Sequence, residues 1–294
     1  MKILSIDGGG IRGLIPALVL AAFETRTGQS VAKHFDFIAG TSTGGIVALG
    51  LAAGIPAMCL AEFYQERGPA IFSRSLKKRL ESLGGLADEL YDAGELELAL
   101  ADLFGDRRLS DVETRSMAVA YDIEQRETVL FRSWGNADYR LADVARATSA
   151  APCYFEPFAI PDLSGRILAC VDGGVVANNP SLLAFSEAEG PHFLVSIGTG
   201  RRERPIALHE AVNFGAAQWA PHLLDIIFSG QAELAHQLCR SWLGSNYVRL
   251  QVELPEDVPM DATDARAFAV MRLAARRLAE SAEATQALQL VEAA

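Results

Sequence analysis

Cysteine, histidine and positive charge are all in short supply in this chain, and each shortage narrows what the protein can be. Four cysteines, Cys59, Cys153, Cys170 and Cys239, are scattered over 294 residues without metal-ligand spacing, so neither a disulfide framework nor a zinc site is encoded. Each sits among apolar or small residues and reads as a buried, reduced thiol, which fits a reducing compartment. Lys and Arg number 26 against 37 Asp and Glu, leaving a net charge of −11. Such a surface argues against non-specific nucleic-acid binding, and it confines contact with an anionic membrane to a local patch or to apolar insertion. No acidic loop has calcium-ligand spacing, and no metal or other cofactor is expected. The most apolar stretch, residues 46–63, is interrupted by Gly50, Gly54 and Pro56, and predicts two buried helices rather than a membrane span. The chain enters a strand at Ile3-Leu4-Ser5-Ile6 with no room for a leader, so a soluble cytoplasmic protein is expected.

Apolar residues, by contrast, are plentiful: half the chain is hydrophobic and 21% is charged, enough for a large core. Strand and helix patterns alternate. Strands are predicted at 2–6, 35–39, 116–120, 128–131, 167–171, 193–197 and 247–252. Helices are predicted at 14–23, through most of the stretch to about Phe104, at 141–149, from Pro180, at 207–228, at 231–243 and from about Thr263. No linker, charge run or repeat divides this pattern. The prediction is one α/β domain over 1–294, a mostly parallel sheet with helices on both faces.

Three glycine-centred runs each follow a predicted strand, which gathers them at one sheet edge, where α/β sites form. In the first, Asp7-Gly8-Gly9-Gly10-Ile11-Arg12-Gly13, consecutive glycines before a helix free backbone N–H groups to meet an anion. The spacing matches neither a P-loop nor a dinucleotide fingerprint, so a transition-state oxyanion is the better anion, with amides near Gly9 and Gly10 as donors. Arg12 serves the loop, a substrate phosphate or a structural salt bridge. In the second run, Gly40-Thr41-Ser42-Thr43-Gly44-Gly45, a strand breaks into a Gly-x-Ser-x-Gly turn and a helix, which suits a strained, exposed nucleophile; a capping serine in a tight turn is the plainer alternative. The third, Asp172-Gly173-Gly174, offers a base at a strand end or a mere turn cap. Of the histidines after it, His192, His209, His222 and His236, none falls in a catalytic loop, which points to a two-residue arrangement of Ser42 with Asp172.

These three runs, with Ala147–Pro152 and Ser196–Gly200, resemble the signature blocks of the patatin-like phospholipases, in family order from residue 7 to residue 200. The resemblance implies a three-layer α/β/α patatin-like fold and a lipid acyl hydrolase with a Ser-Asp dyad. Carried over, Ser42 is the nucleophile, with Gly40 and Gly44 flanking it. Asp172 is the base, followed by Gly173 and Gly174, and Gly8, Gly9, Gly10 and Arg12 form the oxyanion loop. It also implies a membrane phospholipid substrate met at the membrane periphery. Similarity to bacterial effectors that degrade membranes on binding a cyclic nucleotide implies such an activator and a part in antiviral defence. Two other classes compete: a general esterase of small soluble esters, and a non-catalytic lipid- or nucleotide-binding module. The basic run Ile71–Leu80, with Lys77 and Lys78, reads as a solvated helix face or an interfacial helix. The carboxy-terminal helices, with Trp219, Trp242 and many alanines, serve core packing or self-association.

Overall fold

The computed structural model describes residues 1–73, 89–189, 193–202 and 205–293. The strands are β1 (Lys2–Ile6), β2 (Phe37–Thr41), β3 (Arg115–Asp122), β4 (Glu127–Arg132), β5 (Phe158–Pro161), β6 (Ile167–Asp172), β7 (Phe193–Ile197) and β8 (Tyr247–Leu250). The helices are α1 (Leu14–Thr27), α2 (Thr43–Ala52), α3 (Ala57–Ile71), α4 (Ala93–Phe104), α5 (Leu141–Thr148), α6 (Gly174–Ala177), α7 (Ser181–Glu187), α8 (Leu208–Ala211), α9 (Ala216–Leu243), α10 (Ala265–Ala279) and α11 (Ala282–Ala293).

One sheet runs in the order β5-β6-β3-β2-β1-β7-β8, and β4 adds to β3. The stretch β3-β2-β1-β7-β8 is parallel, whereas β4, β5 and β6 pair antiparallel. Residues alternate between its faces as strand geometry requires. Leu4, Ile6 and Ile38 join a core built with α1, α2, α3, α10 and α11, while Ile3, Phe37 and Ala39 join a second core with Ala184 of α7 and Cys239 of α9. Both faces are therefore covered, giving three layers.

The register of β3 fixes the site. β2 pairs with Arg115–Val119 and β6 with Ala120–Asp122, while β4 pairs with Met117–Asp122. A strand has two edges, so β4 occupies one and β2 and β6 share the other. Along that shared edge β2 is parallel to β3 and β6 antiparallel, so their carboxyl ends approach head-on. Thr41 faces Val119 and Asp172 faces Ala120, the next residue.

Several expectations change in detail. The predicted strand 35–39 lies two residues later, ending beside Ser42. Residues 216–243 form one continuous helix rather than two, because an isolated Gly230 costs a helix only about 1 kcal/mol. The Ala-rich tail is two helices separated at Glu280–Ser281. Cys170 and Cys239 are buried free thiols, but Cys59 and Cys153 are exposed. An apolar neighbourhood in sequence does not decide which face a residue presents. The basic run from Arg74 onward, including Lys77 and Lys78, lies outside the described residues, as does His192. Among the described residues no helix is long and apolar enough to cross a membrane.

A buried ion pair ties the far side of the sheet to β1. Arg249 of β8 reaches across β7, donating from Nη1 to Ser196 Oγ at 2.6 Å and to Asp7 Oδ1 at 2.8 Å, and from Nη2 to the other Asp7 oxygen. Removing one partner strands a charge in the interior. Arg249→Met is expected to lose about 3–5 kcal/mol of stability in urea denaturation. The double variant Asp7→Asn/Arg249→Met should recover part of that loss; equal losses would mean that the pair does not carry it.

Candidate active site

Ser42 joins β2 to α2 with φ 56° and ψ −127°, a left-handed conformation that a side chain adopts only under constraint. The constraint is the close passage of the chain. A Cβ on Gly40 would lie 2.0 Å from the Gly44 carbonyl oxygen, and one on Gly44 would lie 2.2 Å from that of Ile6. Both positions therefore exclude any side chain, which is the physical meaning of the Gly-x-Ser-x-Gly pattern. The Ser42 N–H donates to Thr148 Oγ1 at 3.0 Å, and that hydroxyl donates onward to the Val119 carbonyl. Thr148 thus pins the turn to the point on β3 where the two strand ends meet. The Ser42 side chain makes no capping bond to α2, so the capping alternative does not describe it.

The hydroxyl of Ser42 instead lies near enough to the carboxyl group of Asp172 to favour its ionised form, and both residues line one cavity. Asp172 is 1% exposed, its N–H donates to the Ala150 carbonyl at 2.9 Å, and its Oδ1 accepts the Gly174 N–H at 2.7 Å. Gly173 donates to the Thr148 carbonyl at 3.4 Å, which closes the turn after β6. Burial pushes the Asp172 carboxyl up from the ordinary 3.8 to about 6, against the opposing pull of the Ser42 hydroxyl and the Gly174 N–H. The group is a carboxylate at neutral pH with an unusually high proton affinity.

The first glycine run passes beside this pair. The Gly8 N–H is taken by the Asn178 carbonyl at 2.9 Å, and the Gly8 carbonyl accepts from Thr199 Oγ1 at 2.8 Å. The Ile11 N–H is taken by the Met260 carbonyl at 2.8 Å. Between these anchors the N–H groups of Gly9 and Gly10 make no hydrogen bond among the described residues, and both glycines line the cavity with Ser42 and Asp172. Arg12 lies off the cavity lining, its Nε 3.4 Å from the Gly9 carbonyl. It holds the loop and does not face the cavity.

That cavity encloses about 750 Å³, part of it open to solvent, and is overwhelmingly apolar. Ile46, Phe63, Leu96, Phe155, Leu224 and Phe228 form much of its wall. Such a space suits a hydrocarbon chain ending at one polar point. None of the described histidines lines it. His236 Nδ1 meets the Tyr247 hydroxyl at 3.2 Å, and the His222 ring stacks on Phe214.

A family model of the patatin-like phospholipases matches residues 4–185, more than half of the chain. The chain belongs to the patatin-like phospholipase family. It is 34% identical to the cGAMP-activated phospholipase of Pseudomonas aeruginosa, an alignment covering 88% of this chain and 80% of that one. It is 35% identical to patatin-like protein 2 of Arabidopsis thaliana, covering 76% of this chain and 66% of that one. Among solved structures, VipD from Legionella pneumophila aligns over 95% of this chain and 66% of its own, with 12% identity and a TM-score of 0.42. Membership makes this protein a lipid acyl hydrolase. In this family member Ser42, Asp172, Gly9 and Gly10 converge on one cavity, while Gly8, Arg12, Gly40, Gly44, Gly173 and Gly174 build the turns behind them. The reading of the residues gave no role to the side chain of Thr148, to the Asn178 carbonyl or to Arg249. Thr148 lay within a recognised block, but its partner Val119 is a backbone contact without a sequence signal.

A raised carboxyl pKa makes a sign prediction for stability. The neutral form is the favoured one in the fold, so the contribution of Asp172 to stability is complete below about pH 4 and is lost as pH rises through about 6. The difference corresponds to about 3 kcal/mol at most. Asp172→Asn is therefore expected to be more stable than the parent at pH 8 and to match it near pH 4. Chemical denaturation at the two pH values checks this.

Proposed function

We propose that the protein cleaves fatty-acyl esters of membrane phospholipids in two acyl-transfer steps. Ser42 Oγ attacks the ester carbonyl as Asp172 takes its proton, and the amides of Gly9 and Gly10 hold the oxyanion. The ester C–O bond breaks, and Asp172 returns the proton to the departing alcohol. A water then gives a proton to Asp172 and attacks the acyl-serine, releasing the fatty acid and restoring the serine hydroxyl. Carboxylates are weak bases for a hydroxyl. Much of the acceleration then rests on the two amides, each worth about 3 kcal/mol by analogy with other oxyanion donors.

The juxtaposition of Ser42 with a buried carboxylate in the lining of an apolar cavity carries this reading. Binding alone needs neither a nucleophile nor a base, which disfavours a lipid- or nucleotide-binding module. The relative in Pseudomonas aeruginosa is named for activation by cGAMP, and its similarity over most of the chain supports an activatable enzyme in antiviral defence. Contact with the membrane is peripheral in this reading. Fatty-acid release on a lipid panel should rise when one of a set of cyclic dinucleotides is added; equal rates across the set would remove the activator. Turnover confined to short soluble esters would favour a general esterase.

Ser42→Ala and Asp172→Asn are each expected to lower phospholipid hydrolysis by about 10³-fold or more. For the parent enzyme, kcat/KM should rise with pH through a midpoint near 6, because the base must be ionised. Near-normal hydrolysis by either variant, or a flat profile from pH 5 to 8, would contradict the dyad.

A further inference from the structure

Large apolar side chains stand exposed at thirteen described positions, and six of these fall in one short region: Leu208, Val212, Leu223, Ile226, Ile227 and Leu234. Scattered exposed apolar residues are normal, but this concentration is not. On α9 the spacing is that of a helix face. Leu223, Ile226, Ile227 and Leu234 follow one another at intervals of three, one and seven, so they share a stripe. Such a stripe is ordinarily turned to a core. Here the side facing the protein is supplied by different residues. Leu224 and Phe228 line the catalytic cavity, and Gln231 Nε2 donates to the Val175 carbonyl at 2.7 Å. Leu223, Ile226 and Ile227, on the same turns, are 41–49% exposed. Charge is also withdrawn from the region. From Pro205 to Ala232 only Glu210 and Asp225 are charged, in a chain where 21% of residues are. Trp219 precedes the stripe by one turn and stands edge-on to Phe214 at 5.3 Å, an aromatic pair of the kind that suits a boundary between water and hydrocarbon.

We propose that the outer face of α8 and the first half of α9 is the surface by which the enzyme docks on a lipid bilayer, its apolar stripe entering the acyl boundary. This rests on the hydrolase reading of the neighbouring cavity and names the partner surface for it. Continuity between stripe and cavity selects a bilayer as the occupant. The inner positions of these turns wall the acyl cavity while the outer positions meet the lipid. An acyl chain can then pass from one apolar medium to the other without crossing water. A second copy of the chain seated there would cover the approach instead. The net charge of −11 removes any general attraction to anionic lipid, and residues 205–232 contain no Lys or Arg, so at this face apolar insertion is the remaining force.

Ile226→Gln/Ile227→Gln tests this, since both side chains are exposed and neither lines the cavity. Three readouts are taken for parent and variant: sedimentation with vesicles of phosphatidylcholine, hydrolysis of those vesicles, and hydrolysis of a monomeric short-chain ester. Vesicles without anionic lipid keep the basic run near Lys77 from contributing. Vesicle binding and vesicle hydrolysis are expected to fall about tenfold or more in the variant, with ester turnover within about twofold of the parent. Binding by the parent should be little changed by salt, as apolar insertion is unscreened. A parent that does not sediment with vesicles, or a variant that sediments equally, overturns the proposal. So does a variant that loses an oligomer by light scattering while keeping its vesicle binding. Failure of the hydrolase reading looks different: the parent would sediment yet cleave neither vesicle lipid nor soluble ester.

Discussion

Two strand ends running toward each other along one edge of β3 determine where the reactive groups stand. β2 delivers Ser42 just beyond Val119, and β6, arriving from the opposite direction, delivers Asp172 at Ala120. Neither residue has to extend along a loop to find the other. Thr148 closes the junction, holding the Ser42 N–H with its hydroxyl, and both Val119 and Gly173 bond to the same residue. The strained serine backbone persists because these bonds and the side-chain-free passage at Gly40 and Gly44 leave no relaxed alternative. A hydroxyl placed in this way is oriented before any substrate arrives, so the proposed reaction leaves little ordering to be done.

The fold treats two of its buried strand-end carboxylates in opposite ways. Asp7, at the end of β1, meets the guanidinium of Arg249 and becomes part of the framework beneath the glycine run. Asp172, at the end of β6, accepts the Gly174 amide and lies near the Ser42 hydroxyl, and no cation among the described residues offsets its burial. The first arrangement fixes a charge, and the second keeps a proton acceptor poised near neutrality. The cost to stability of leaving Asp172 uncompensated is the physical counterpart of its proposed use as a base. The anchoring of Gly8 and Ile11 on either side of Gly9 and Gly10 applies the same logic to amides, since fixed neighbours leave two donors unspent.

Much of this was legible in the sequence because its causes are local. A serine between two glycines after an apolar strand has few alternatives to a sharp turn, and an Asp-Gly-Gly run at a strand end signals another. The alternation of strands and helices likewise announced a layered sheet. Direction was not legible. The apolar run Ile167–Val171 is equally compatible with either orientation, yet its antiparallel pairing brings Asp172 to Ser42, and β5 beside it left no recognisable period. Long-range partners were also hidden. Nothing near Arg249 signals a carboxylate 242 residues away, and the exposed stripe on α9 was indistinguishable from a core-facing one until its surroundings were known. Burial of Cys59 was misjudged for the same reason: neighbours in sequence do not choose the face of a helix.

Labelling with a fluorophosphonate, followed by mass spectrometry of the adduct, tests the central arrangement most directly. The account predicts one modified serine, at position 42, whose labelling rate rises with pH through about 6 in the parent and falls sharply in Asp172→Asn. Modification at another serine, or labelling of Ser42 that is indifferent to pH and to the loss of the carboxylate, would contradict it.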